Sequence, residues 1–232
     1  MIKILNPKNR VAYFEEKIGI EVERKLLDID YKDIYKKLES LPLIEVFSGT
    51  VISEYWYGNP DNIYIPIELY KKALDRRNQK PIHWVRLRQM KYEDGFTIYF
   101  TGTKYDSLTK PDGKDEIEEI INLELMDEIR RRYGKNKNIE LREREIKKRK
   151  IYTFESKSNG LPKRGIEYNL YHIISPVIIP PFLEIEAINK RRCNKAIKEM
   201  KLDDREFTKM TTRELIQMYQ VTEETDDLNR GL

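Results

Sequence analysis

The sequence predicts an α+β protein: a closed β-barrel with a polar lumen, covered outside by α-helices. Three observations predict it. Segments from five separate regions carry charged residues at every second position, the period of a β-strand. The alternate positions of those segments are mostly apolar. Other segments place apolar residues at helical spacing and can cover a sheet. In an ordinary sandwich the apolar faces meet and the charges face water. A closed barrel allows the inverse, with apolar faces turned outward under helices, charges converging inside and no free sheet edge.

The first strand, from Ile18 to Leu27, sends Glu21, Glu23 and Lys25 to one face and Ile20, Val22 and Leu26 to the other. Alone, it is equally well explained by a solvated outer face. Tyr31, Ile34, Tyr35 and Leu38 then mark a covering helix from Tyr31 to Glu39. Residues Ile44 to Tyr57 read as one or two strands rich in aromatic and β-branched side chains, closed by the turn at Gly58–Asn62. There Tyr55, Trp56 and Tyr57 are open to two readings, stacking on a base or filling core. Pro66 opens a second helix to about Arg77, since a first-turn N–H has no helical partner to lose.

From His83 to Met90, Trp84, Arg86 and Arg88 alternate with Val85 and Leu87. The next strand, Phe96 to Tyr105, presents Ile98, Phe100, Gly102 and Lys104 in one register, followed by a turn at Pro111–Gly113. Lys114, Glu116 and Glu118 start another strand with a mixed-charge face. Leu125, Ile129 and Tyr133 mark a helix expected to stop at Gly134. The tract from Glu140 to Phe154 is the most basic in the chain. As a strand it sends Lys147 and Arg149 to one face and Lys148 and Lys150 to solvent. Strands follow at Ile166–Ile174 and Phe182–Ile188, the latter alternating Glu184 and Glu186 with Leu183, Ile185 and Ala187. A helix from Asn189 to Lys201 carries Cys193 on its apolar stripe, and a shorter one passes through Leu215 and Met218, with Thr211 and Glu214 at capping-box spacing. Residues 1–221 are expected as a single domain and 222–232 as a polar, flexible tail.

Composition narrows the function. The 44 Lys and Arg against 40 Asp and Glu leave a net charge of only +4. That is weak footing for generic DNA binding, which needs a basic excess on one surface. Cys193 is the only cysteine. It rules out an internal disulfide and a thiolate zinc site, and with no signal-peptide core or membrane span in view it points to the cytoplasm.

An inverted barrel would gather Glu21, Glu23, Glu116, Glu118, Glu184 and Glu186 with Lys25, Arg86, Arg88, Lys104, Lys114, Lys147 and Arg149. Charges held away from water must pair or bind ions. A polyphosphate with divalent metal satisfies both sets, since carboxylates hold hard cations and Arg and Lys hold phosphate oxygens.

The ordered set of Glu21-x-Glu23-x-Lys25, Arg86-x-Arg88, Lys104, Lys147-x-Arg149 and Glu184-x-Glu186, spanning Ile18 to Tyr219, resembles the CYTH family of triphosphate tunnel enzymes. That family includes class IV adenylate cyclases, thiamine triphosphatases and inorganic triphosphatases. The resemblance implies a closed antiparallel eight-stranded β-barrel, a tunnel in which Glu23 and Glu186, helped by Glu21, Glu184 and Glu118, hold Mg²⁺ or Mn²⁺. Lys25, Arg86, Arg88, Lys104, Lys114, Lys147 and Arg149 would take the triphosphate, with Glu21, Glu23, Lys25, Glu184 and Glu186 in the catalytic role. Lys114-x-Glu116-x-Glu118 is similar to the family's Arg-x-Glu-x-Glu strand with Lys for Arg. Two positions depart from the pattern: Gly102, where a threonine is common, and Tyr171, where an acidic residue aligns.

The expected activity is metal-dependent hydrolysis of a triphosphate: a nucleoside triphosphate, tripolyphosphate or thiamine triphosphate. Alternatives are cyclisation of ATP to cyclic AMP and pyrophosphate, and binding of a nucleotide or RNA 5′-triphosphate without turnover. The protein is expected as a monomer or homodimer with no membrane partner.

Overall fold

A computed structural model of the chain describes residues 2–15, 19–59, 63–64, 84–106, 114–155 and 162–230; for 15, 19–21, 104–106, 114–117, 155, 162–164 and 222–230 the description is of the backbone. The helix expected from Pro66, the segment around His83 and the turn at Pro111–Gly113 lie outside the described residues.

Among the described residues, the elements follow in the order β1 (Lys3–Ile4), α1 (Arg10–Glu15), β2 (Gly19–Leu26), α2 (Tyr31–Glu39), β3 (Leu43–Gly58), β4 (Trp84–Tyr92), β5 (Thr97–Asp106), β6 (Lys114–Ile121), α3 (Leu123–Lys135), β7 (Ile139–Glu155), β8 (Pro162–Ser175), β9 (Ile179–Ala187), α4 (Lys190–Glu199) and α5 (Thr212–Arg230). The nine strands form one sheet in the order β1-β3-β4-β5-β6-β2-β9-β8-β7, and β3 also pairs with β7. Only β1 runs parallel to its neighbour. The fold is α+β, as expected.

One face of the sheet packs beneath helices. Val22, Leu26, Leu183, Ile185, Tyr168 and Leu170 meet Ile34 and Leu38 of α2 and Cys193 and Ala196 of α4. Val85, Leu87 and Trp56 meet Met126, Ile129 and Tyr133 of α3. Each helix has a side-chain N-cap: Asp30, Asn122 and Asn189 accept from backbone N–H groups of the first turn, satisfying donors with no helical partner. The other face carries the charges.

The chain ends differ from expectation. No element was expected in residues 2–15, yet α1 docks Tyr13 and Phe14 into an apolar cluster with Phe47, Val51, Met90, Phe100 and Ile151 of the charge-bearing face. Phe14 meets Phe100 edge-on at 5.6 Å between ring centroids. Arg10 fastens the helix, donating to Asp94 at 2.7 Å and lying 4.1 Å from the Tyr92 ring centroid. α3 runs through Gly134 and is capped at Asn136, whose side chain accepts from the Asn138 N–H at 3.0 Å. A single helical glycine costs only about 1 kcal/mol, less than the packing of Tyr133 beside it supplies. Thr211 and Glu214 form the expected capping box, with reciprocal bonds of 2.6 and 3.2 Å. Helix α5 then continues to Arg230, so the backbone of 222–230, within the segment expected as a polar, flexible tail, is helical. No Gly or Pro interrupts it before Gly231, and nothing else in the sequence stops a helix so abruptly.

Candidate functional site

Pairing register determines which side chains converge. Glu23 stands opposite Glu186 and Lys25 opposite Glu184 across β2 and β9. Glu184 stands opposite Asn169 of β8, and Arg149 of β7 opposite Tyr171 of β8. Ser53 of β3 lies between Glu145 and Arg88. Arg86 is opposite Gly102, which is opposite Glu118. All these positions share one face, because paired residues point the same way and every second residue repeats the direction.

At the junction of β2 and β9, one carboxylate oxygen each from Glu23, Glu184 and Glu186 lie within 4.8 Å of one another. Lys25 is 0 % exposed. Its Nζ lies 2.7 Å from Glu184 and 3.1 Å from Glu23. Burial alone would lower its pKa, but the Glu184 and Glu23 carboxylates outweigh that and hold the ammonium well above the usual lysine range. Burial raises the Glu184 carboxyl; Lys25 opposes this, while the nearby Glu23 and Glu186 charges add to it. Three carboxylates against the Lys25 ammonium and the Arg149 guanidinium, 3.6 Å from Glu186, leave one negative charge in excess for a proton or a further cation to balance. The all-oxygen donor set fits a hard divalent cation such as Mg²⁺ or Mn²⁺.

The cations stand on the same face of the sheet. Glu118 accepts from Arg86 at 2.8 Å and from Arg88 at 3.1 Å. Gly102 accounts for that reach: it stands between Arg86 and Glu118 and adds no side chain on that face, so the pair spans a whole strand. Lys147 Nζ is 2.6 Å from Glu145, and burial lowers its pKa. Arg149 donates to Asn169 Oδ1 at 2.9 Å and lies 3.6 Å from Glu186. Asn169 is fully buried, and its Nδ2 has no hydrogen-bond partner among the described residues. Tyr171 offers its ring to both bases, with Lys147 at 4.7 Å and Arg149 at 5.0 Å from its centroid, and stacks on Phe182 at 5.2 Å. Where the resemblance aligns an acid, this chain sets a ring face beside the two cations, in addition to their carboxylate neighbours Glu145 and Glu186.

The sequence-predicted residues therefore divide. Glu23, Lys25, Glu184 and Glu186 come together, and Arg86, Arg88, Lys147 and Arg149 join them on the same face. Glu118 sits between the two arginines and is no member of the carboxylate trio. The backbone puts Glu21 opposite Lys114, and Lys104 opposite Glu116, in the same alternation; their side chains lie outside the description. His172 is exposed. Sequence reasoning missed Ser53, Glu145, Glu167 and Asn169. Glu145 alternates with Lys147 and Arg149, already assigned to one face, and could have been found by extending the period; Ser53 lies on a strand whose faces the aromatic-rich pattern did not separate, and Glu167 and Asn169 stand among apolar neighbours. Tyr13 was missed too: its hydroxyl donates to Glu167 at 2.5 Å, a contact across most of the chain that no local pattern encodes.

No protein-family model matches the chain, and no curated protein matches it by sequence. Solved structures do. A candidate adenylate cyclase from Vibrio parahaemolyticus aligns over 87 % of this chain and 99 % of its own, at 12 % identity and a TM-score of 0.53. A Pyrococcus horikoshii protein aligns over 85 % and 98 %, at 17 % identity and 0.50. A Hippeastrum protein, described as a candidate adenylyl cyclase with a dominant triphosphatase activity, aligns over 87 % and 96 %, at 11 % identity and 0.49. The first two share this chain's fold.

Proposed function

We propose that the chain is a divalent-metal-dependent phosphohydrolase that takes triphosphates into a closed β-barrel tunnel. The observation that carries the proposal is the pairing of an excess-carboxylate cluster, Glu23, Glu184 and Glu186, with buried bases on the same face of the sheet, Arg86, Arg88, Lys147 and Arg149. Closure of the tunnel is supported by β3, which pairs with β4 along one edge and β7 along the other. The resemblance of the ordered motifs and the shared fold point the same way.

In this reading Arg86, Arg88, Lys147 and Arg149 exchange their present carboxylate partners for phosphate oxygens, and Lys104 and Lys114 extend the set. Little reorganisation is needed, because carboxylates already hold the guanidinium and ammonium groups in place. Glu23, Glu184 and Glu186, helped by Glu21, would hold Mg²⁺ or Mn²⁺; when bound, the ion draws charge from the phosphate oxygens. Lys25 positions Glu23 and Glu184 and limits their repulsion. A carboxylate of the cluster orients the attacking water in line with the leaving group.

The description of the Vibrio protein as a candidate adenylate cyclase keeps a second reading beside this one, in which the ribose 3′-hydroxyl attacks the α-phosphate and expels pyrophosphate. Product analysis separates them. With Mg²⁺ or Mn²⁺ and ATP, tripolyphosphate or thiamine triphosphate, release of orthophosphate is expected. Cyclic nucleotide with pyrophosphate would replace hydrolysis by cyclisation, and binding without products would make the chain a triphosphate receptor. No helix among the described residues is long and apolar enough to cross a membrane, and the cytoplasm is the proposed location.

A further inference from the structure

The chain's small basic excess is gathered in one place. Helix α4 carries Lys190, Arg191, Arg192, Lys195 and Lys198 against Glu199 alone, five bases to one acid. The resulting +4 equals the net charge of the whole chain, so the two signs balance outside this helix. Arg191, Lys195 and Lys198 follow the i, i+4, i+7 spacing of one helical face, with Lys195 about 6 Å along the axis from Arg191 and Lys198 about 4.5 Å beyond it. Cys193, Ala196 and Met200, on the opposite side, are buried in the cluster beneath the helix, and every polar residue of α4 is exposed. Within the protein this arrangement is unfavourable. Three bases stand in the first turn, which holds no acid, although the helix dipole favours negative charge there. Like charges one turn apart also repel. Exposed bases elsewhere have carboxylates beside them: Lys37 has Asp33, Arg132 has Glu128 and Arg142 has Glu140. On α4, Lys195 meets Glu199 at 3.5 Å, whereas Lys190, Arg191, Arg192 and Lys198 have no carboxylate partner among the described residues. Arg192 lies over Gly165 of β8, where a β-carbon would collide with its Nη1, and the two residues before that glycine are Lys163 and Arg164.

We propose that the exposed face of α4 binds the phosphate backbone of a nucleic acid strand, outside the tunnel and independently of any triphosphate. The small net charge of the chain is weak footing for such binding only while it is spread over the surface. The fold concentrates the entire excess on one helix, which is the condition that backbone binding requires. Charge complementarity selects the partner. The helix has no exposed apolar or aromatic residue, so it has nothing to insert into a lipid layer or to stack on a base, and contact through phosphates alone suits it. Because α4 packs on the helix-covered face of the sheet, a strand bound there leaves the charged face of the sheet untouched.

The test is fluorescence anisotropy with single strands of RNA and DNA of about 20 nucleotides, titrated with the full chain across about 0.05 to 1 M salt. Both strands end in a 5′-hydroxyl, so neither offers a triphosphate to the tunnel. Each single-strand phosphate contact adds about 0.7 to the slope of log affinity against log salt. The triple variant Arg191→Ala, Lys195→Ala, Lys198→Ala should therefore flatten the slope by about two and weaken binding about 100-fold at about 0.1 M salt, the curves converging near 1 M. A control triple, Arg131→Ala, Lys135→Ala, Lys137→Ala, removes as many exposed bases near the end of α3 and should leave the slope unchanged and the affinity within about twofold. Exposed helical side chains replaced by alanine leave the fold intact, which circular dichroism of both variants checks. Loss confined to the α4 variant supports the proposal, and the strand bound more tightly identifies the nucleic acid. Equal loss in both variants, an unchanged slope in the α4 variant, or no binding of either strand by the unaltered chain at about 0.05 M salt overturns it. Capture of the unaltered chain by phosphatidylserine vesicles, with neither strand bound, would give the face to a membrane surface and end the nucleic-acid assignment.

Discussion

Lys25 shows how far one side chain can govern this site. Its ammonium is buried between Glu184 and Glu23, and removing one member of a buried ion pair costs about 3–5 kcal/mol because the other charge is stranded. Lys25→Met should therefore lower unfolding free energy by that amount in chelator. Millimolar Mn²⁺ should recover much of it, since the ion replaces the missing positive charge. Loss without recovery, followed by denaturant unfolding, would show that the trio does not take a metal. Protons compete for the same charge. The Glu184 carboxyl titrates above its ordinary value of 4.5, so as pH rises from 4.5 towards neutrality the unfolded chain releases a proton that the folded chain retains. Stability from this group is then present at low pH and lost across that window. Metal-free protein should lose unfolding free energy over the window relative to Glu184→Gln; parallel pH profiles would refute the raised pKa.

At the scale of elements, α1 is the piece that local sequence disguised. Six residues cannot form a stable helix alone, and its apolar residues Val11, Tyr13 and Phe14 have no periodic run around them. Its stability comes from the inner-face layer it seals and from two polar ties, Arg10 to Asp94 and Tyr13 to Glu167. Tyr13→Phe keeps the packing and removes the bond to a carboxylate, worth about 1.5–3 kcal/mol. A fall in melting temperature with the fold retained by circular dichroism is the expected result. No fall would mean that Glu167 is satisfied equally well without Tyr13. The strands were far more legible. Glu21-x-Glu23-x-Lys25 and Glu184-x-Glu186 announced their faces because a two-residue period survives any tertiary context, and α2 and α4 did so through Ile34, Leu38, Cys193, Ile197 and Met200 at helical spacing. The continuation of α5 past Tyr219 was missed because an acidic, polar composition says little about backbone conformation.

For the whole molecule, folding and binding are linked. The buried charges cost free energy in the ligand-free protein, so a ligand that completes their coordination should stabilise it strongly. A triphosphate with Mg²⁺ or Mn²⁺ at 100 times its dissociation constant should add about 2.7 kcal/mol, visible as a rise in melting temperature in a scan with tripolyphosphate. Metal or phosphate alone should give less, because each balances only one set of charges. An equal shift from phosphate alone would argue against joint occupancy.

The sequence by itself determined the alternation of the strands, the amphipathic helices that cover them and the identity of most charges on the inner face. Those properties are local, set by side chains two or four residues apart. Which charges meet was decided only by tertiary structure. Register put Glu184 against Lys25, Gly102 in the gap that Arg86 crosses to Glu118, and Tyr171 under Arg149, although each pair is distant in sequence. The same holds for Trp56 and Trp84: both lie in aromatic strands, but the pleat turns one into core and the other towards the charged face. Pairing is a property of two strands at once, and one strand's pattern fixes its own faces but not its neighbour.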